Sequence, residues 1–410
     1  MTSSVSSFSP NGSISEQPAV GDVGGGGGAS DASLLWATPY VVSSDADAPY
    51  QSIQAALTAI ENDLPDEAIV LIEAGDYNES LVFTSFGDVE IKLTPLGSSS
   101  AGVGVRVLGS FTIAGSGSGV TQVTLDNVSF ATSGTDGLTV TQDGPVVVQL
   151  VGGTISSDQN AVVINDTSPV GGAPSLFRSA ANARISSSGG RALDVDGARV
   201  DCRETVISAT DPTARLLFAQ STTVPCELAF AACTFQPGAD SVDVPIFDLG
   251  AGTVMAVAGK HPEEPTTLSC GNRTVFFYRD LAQVRITDGA IFDTAPSASD
   301  SNAFANITGA FSPGTSLVAI DSSLRTQDEI LVDVVGNLFG GVLVELYNCE
   351  IRAGAIGGVA PYGLSNSGGA PNLNLYFDNL RFANTSSTDL TYLSPDWGAL
   401  PRTNTPVAKP

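Results

Sequence analysis

One stretch of the chain gathers carboxylates at a spacing that suits chemistry. Leu193-Asp-Val-Asp-Gly-Ala-Arg-Val-Asp-Cys-Arg-Glu holds Asp194, Asp196, Asp201 and Glu204. If the stretch is a strand, Asp194 and Asp196 share one face, outward when Leu193 and Val195 point in. Outward carboxylates can bind Ca²⁺, or act as acid and base on a glycosidic bond. Asp194, Asp196 and Glu204 are therefore the candidate catalytic residues. The plainer reading is a solvated acidic strand face held by Arg191, Arg199 and Arg203. Ser44, Asp45 and Asp47 offer a weaker cation site, for which a plain turn is also a sufficient reading. The single histidine, His261, rules out any mechanism or metal site that needs two from one chain. It sits with Pro262, Glu263 and Glu264 in a charged, Pro-bounded stretch that reads as a surface loop.

Other residue types add little chemistry. The five cysteines, Cys202, Cys226, Cys233, Cys270 and Cys349, are odd in number and show no CxxC spacing. That is neither a disulfide framework nor a zinc module, and buried reduced thiols are expected. No cofactor is implied: Gly24 to Gly28 and Gly115-Ser-Gly-Ser-Gly119 lack the lysine and following helix of a phosphate loop. Acidic residues outnumber basic ones 43 to 17, a net charge of −26, and the only lysines are Lys92, Lys260 and Lys409. Phosphate contacts need clustered Lys and Arg, so a nucleic-acid partner is excluded. The most apolar long window, Ile330 to Tyr347, is broken by Asp333, Asn337 and Glu345 and does not read as a membrane span. The opening MTSSVSSFSPNGSISEQPAV has neither the charged nor the apolar region of an ordinary secretory signal.

The elements that position these residues follow from pattern. Residues 1–32 are Ser, Gly and Pro rich and predict a flexible tail. Residues 386–410 are polar with several prolines and predict a second tail. Between them, Ile53, Ala56, Leu57 and Ile60 at helical spacing predict one helix near residues 50–62. From Ala68 onward the chain reads as short strands and Gly/Ser/Asn/Asp turns. A hexapeptide recurs: apolar, any, turn-forming or small, apolar or small, any, apolar. Its copies end at residues 130, 155, 207, 235, 291, 325, 351 and 382. Two of the intervals are double steps of an underlying period of roughly 25 to 30 residues. Strands repeating at that period predict an all-β fold, a parallel β-helix over residues 33–385 with about 12 coils. The turn-forming residue bends the chain between two sheets, and an Asn or Asp there is expected to bond backbone left unpaired by the bend. Cys233 and Cys349 then fall in one inner column as small fillers.

Tyr50-Gln-Ser-Ile-Gln-Ala-Ala-Leu-Thr-Ala-Ile, followed by Ile69-Val-Leu-Ile-Glu-Ala-Gly-Asp-Tyr-Asn-Glu-Ser-Leu-Val-Phe83, resembles the opening of pectin-lyase-like right-handed β-helix proteins. The resemblance implies a short amphipathic helix capping the first coil and a Gly-x-Tyr turn after the first strand. It supports the fold better than any activity, because this superfamily holds lyases, esterases, hydrolases, phage tailspikes and non-catalytic virion or surface proteins. The catalytic signatures of pectin methylesterases, polygalacturonases and pectate lyases are absent, so no catalytic residue carries over.

The sequence therefore favours a structural or adhesion β-helix without catalytic activity, a component of a virus particle exterior. Its partners would be other structural proteins of a particle or surface, or glycans, with a homo-oligomer open. Two alternatives stand beside it. One is a divergent polysaccharide lyase or glycoside hydrolase acting through outward carboxylates. The other is a glycan-binding module, which predicts exposed aromatics along one face.

Overall fold

In a computed structural model, the described residues are 38–85, 87–97, 104–115, 119–142, 145–166, 174–222, 224–238, 244–259, 264–270, 273–278, 281–294, 303–308, 315–325, 330–335, 342–352, 362–365, 373–378, 381–382 and 391–393; beyond residue 350 only backbone is described. The chain divides into two compact units, Met1–Thr38 and Pro39–Pro410. The tail expected over residues 1–32 lies outside the described residues. So do His261 and Glu263.

The second unit is a right-handed parallel β-solenoid; among the described residues it has three sheets, of 13, 12 and 12 strands. Each coil visits the sheets in turn. One example runs from Thr121–Asp126 in the first sheet to Val128–Thr132 in the second and Leu138–Gln142 in the third. Every strand pairs in parallel with its counterpart one coil along, as Leu150 does with Leu125 and Ile164 with Val195. Strict alternation explains the core. In Thr121–Asp126 and Val146–Val151 every second side chain is buried, and stacking such strands builds inner columns that exclude water. The strand Thr391–Leu393 pairs with Tyr362–Ser365, so the third sheet runs into the segment read as a C-terminal tail.

The hexapeptide marks the corner between the first and second sheets. Its last residue forms an inner column, with Phe130 beside Ile155 and Ile207 beside Phe235. Ile185 and Leu268 occupy the places where the sequence showed double steps. Two copies were displaced by one residue. The column passes through Phe292 and Leu324, not Ile291 and Arg325. At the first of these, Asp288 and Gly289 both take positive φ, 57° and 79°, and lengthen the corner by one residue.

The bend itself works differently from expectation. Asn127, Glu204, Ala232, Asp321 and Asn348 all sit in the left-handed region, with φ between 49° and 54°. The N–H groups of Asn127, Glu204, Ala232 and Asp321 are not orphaned. Asn127 donates to Val151 O at 2.8 Å and Glu204 to Ala231 O at 3.0 Å, each one coil along. Corner side chains instead bond one another, as Asn348 Nδ2 does with Asp321 Oδ1. The residue after the corner closes the bend. Thr205 Oγ1 donates to Arg203 O and Ser322 Oγ to Ile320 O, both at 2.8 Å. Cys233 Sγ donates to Ala231 O at 3.4 Å and Cys349 Sγ to Tyr347 O at 3.2 Å. A small side chain carrying a γ donor fits this inner column, which accounts for both cysteines. Burial raises the thiols of Cys233 and Cys349 to about 11 and that of Cys226 to about 12. At neutral pH these are fillers and weak donors, not thiolate nucleophiles.

The helix is Ile53–Asp63, with Ile53, Ala56, Leu57 and Ile60 buried. Ser52 caps it by accepting from Ala55 N–H at 3.1 Å. Glu79, from the connection before the third sheet, accepts from Ile53 and Gln54 N–H at 2.8 and 3.0 Å. A carboxylate there also suits the positive end of the helix dipole. A flanking face closes an edge strand. Gln54 Oε1 accepts from Val82 N–H at 2.7 Å while its Nε2 donates to Val82 O at 3.0 Å. Glu61 Oε1 accepts from Thr84 N–H at 2.6 Å. Two side chains thus imitate the missing neighbour of Leu81–Ser85 and blunt an edge that would recruit another strand. The double substitution Gln54→Ala, Glu61→Ala is expected to cost about 2 kcal/mol. It should also make the protein aggregate at concentrations where wild type stays dispersed. Urea unfolding and light scattering check both; an unchanged midpoint would contradict the capping role.

Candidate functional site

Asp194 and Asp196 lie on the strand Leu193–Asp196 of the third sheet, outward as expected, because Leu193 and Val195 are buried. Each carboxylate is engaged. Asp194 Oδ2 accepts from Arg191 Nη1 at 2.7 Å. Asp196 accepts from Gln220 Nε2 at 3.0 Å, from Thr222 N–H at 3.0 Å and from Thr222 Oγ1 at 2.8 Å. Gln220 and Thr222 belong to the next coil, so Asp196 is a clamp between coils.

The surrounding charges form an alternating row. Asp194 pairs in register with Phe218, Phe218 with Asp248, and Asp248 with Phe277. The Arg191 guanidinium lies 4.4 Å from the Phe218 ring centroid and Arg215 lies 5.8 Å from it. Arg215 Nε stands 2.9 Å from Asp248 Oδ2, and Asp248 is fully buried. One aromatic ring is thus held between two Arg–Asp pairs. Burial raises the pKa of Asp194; Arg191 pulls it back, while Asp136 and Asp196 push it up. Desolvation therefore outweighs the ion pair, and this is the direction a general acid needs.

Glu204 is elsewhere. It occupies the left-handed corner between Arg199–Arg203 of the first sheet and Val206–Ala209 of the second. The structure does not bring it to Asp194 and Asp196, because a corner residue and a third-sheet residue lie on different sides of the coil. Glu204 instead lines a shallow groove of about 400 Å³ with Asn182, Thr205, Val206, Ala232, Thr234 and Glu264. Asp201 faces outward on the first sheet, 3.2 Å from Arg203 Nε. Arg199 reaches Glu227 of the next coil at 2.9 Å. Of the three arginines expected to hold one acidic face, Arg191 alone serves the third sheet.

Asp45 and Asp47 lie in an exposed turn closed by Ala48 N–H on Asp45 O at 3.0 Å. Ser44, the third member of that set, donates to Glu73 instead, from N–H at 3.1 Å and Oγ at 3.3 Å. Ser43 Oγ donates to the same Glu73 oxygen at 2.6 Å, and these bonds hold the Glu73 pKa low. Among the described residues no three His, Cys, Asp or Glu side chains converge as a metal site would require.

Sequence reasoning missed Arg273. It is fully buried, donating to Ala214 O at 2.7 Å, Val244 O at 2.9 Å and Pro245 O at 3.3 Å. A lone arginine in Gly271-Asn-Arg-Thr274 gives no signal of burial, because its partners are carbonyls that sequence does not distinguish.

No protein-family model, no curated protein and no solved structure matches the chain. No helix among the described residues is long and apolar enough to cross a membrane.

Proposed function

We propose that the chain is a non-catalytic structural or adhesion β-helix of the pectin-lyase-like type, serving on the exterior of a virus particle. The observation that carries this reading is the engagement of the outward charges. Asp196 and Glu227 are held by side chains of the neighbouring coil. Asp194 is held by Arg191, which packs on Phe218 of the next coil. Such groups tie coils together, and a polysaccharide would have to displace those bonds to reach them. Many of the described aromatics are buried, among them Phe130, Phe235, Phe247, Phe276 and Phe292, and the outward Phe218 ring is covered by Arg191 and Arg215, which argues against a stacking surface for sugars there.

One observation favours the second reading, a polysaccharide lyase or hydrolase. Asp194 has a raised pKa beside a second carboxylate, Asp196. The two readings separate in one assay. Purified protein is incubated with a panel of acidic and neutral polysaccharides, with and without Ca²⁺, and chain length is followed. No shortening is expected. Shortening of any polymer that Asp194→Asn abolishes would overturn the structural reading.

A further inference from the structure

The first sheet carries a face whose charge departs from the rest of the chain. On seven consecutive strands, from Leu176–Ala180 to Val342–Tyr347, the outward arginines are Arg178, Arg199, Arg203 and Arg285. The outward carboxylates there are Asp201, Glu227 and Glu345. The face is therefore close to neutral, in a chain with 43 acidic and 17 basic residues. A second copy approaching an acidic surface meets like charge, and here it does not. The middle of the face is apolar. Ala229, Ala231, Ala256 and Ala258 point outward around Val254, which is 41% exposed.

The register makes the two ends of the face complementary under one two-fold, which also sets Asp201 opposite Val318 and Arg285 opposite Ala229. The central row of the face runs Arg178, Asp201, Ala229, Ala256, Arg285, Val318, Glu345 across successive coils. Ala256 is the midpoint. A two-fold axis along its strand reverses the coil order between two copies and sets Arg178 of each opposite Glu345 of the other. Burial raises the Glu345 pKa, against the pull of Arg285, so a facing guanidinium would relieve an unfavourable environment. Strands about 4.8 Å apart and about 17 Å long give about 550 Å² per copy over this span. The total of about 1,100 Å² clears the ~1,000 Å² expected of a specific interface.

We propose that this face binds a second copy of the chain, with Ala256 on the two-fold axis and Arg178 paired across it with Glu345. Sedimentation equilibrium of the full chain from about 1 to 100 μM tests it, over a range that spans micromolar affinities. Wild type is expected at twice the 41.7 kDa chain mass. Ala256→Glu, which sets two carboxylates against each other on the axis, should give a monomer with an unchanged circular dichroism spectrum. R178E should weaken association at least tenfold, and R178E/E345R should restore it. A wild-type chain that stays monomeric overturns the proposal. So does association that Ala256→Glu and R178E leave intact, or a swap that fails to restore what R178E removes.

Discussion

Arg273→Ala is expected to lose about 4 kcal/mol of stability, far more than loss of an exposed ion pair such as Arg106–Asp76, whose median worth is about 0–1 kcal/mol. The guanidinium joins three coils. Its own coil supplies the side chain, the preceding one Val244 O and Pro245 O, and the one before that Ala214 O. Removing it strands carbonyls away from water, at about 1–3 kcal/mol for each one left unsatisfied. It also leaves a cavity where a fully buried side chain stood. Arg273→Lys should recover less than half of the loss, because one ammonium cannot reproduce a planar fork aimed at separate carbonyls. Urea unfolding of the two variants measures this. A loss below about 1 kcal/mol for the alanine variant would show that the carbonyls find other donors.

Phe247→Ala should cost a similar amount, about 4 kcal/mol, by a different route. Phe247 is buried in the third sheet, 5.1 Å from the Phe235 ring in an edge contact and 5.1 Å from Phe276 in a stacked one. Phe230 and Phe292 extend the chain of rings, at 5.2 Å from Phe235 and 5.6 Å from Phe276. The rings draw on all three sheets, so they fill the coil interior at its centre. In a solenoid, stability is nearly a sum of nearest-neighbour terms, and a hole at one coil weakens its couplings on both sides. Hydrogen exchange should therefore speed up first in Leu217–Gln220 and Phe276–Tyr278, the strands that flank it. Phe247→Leu should retain more than half of the stability. Exchange rising uniformly over all coils would contradict local coupling.

The fold was legible in the sequence because its determinants are local and periodic. The hexapeptide exposes one corner and one inner column, and the helix shows itself through four apolar residues. The pattern failed where the corner changed length. Ala181 and Asn182 both take positive φ, 57° and 61°, and lengthen the corner before Ile185. Ala319 is a small inner residue that disguised the copy ending at Leu324. The candidate site was less legible. Strand alternation placed Asp194 and Asp196 outward, but it carried no information on which sheet holds each residue. Glu204 looked like a neighbour because it is near in sequence, yet a corner separates it from them. The Arg191–Phe218–Arg215–Asp248 row depends on register between coils, and residues 24 or more apart in sequence become adjacent only once that register is fixed.

The central claim is that outward carboxylates hold coils together. Asp196 tests it most directly, since all three of its bonds reach the next coil. The measurement is the urea unfolding free energy of Asp196→Ala against wild type. The account predicts a loss of about 1–2 kcal/mol, with Asp196→Asn losing less because an amide oxygen still accepts. An alanine variant as stable as wild type would contradict it and return Asp196 to the list of groups kept for chemistry.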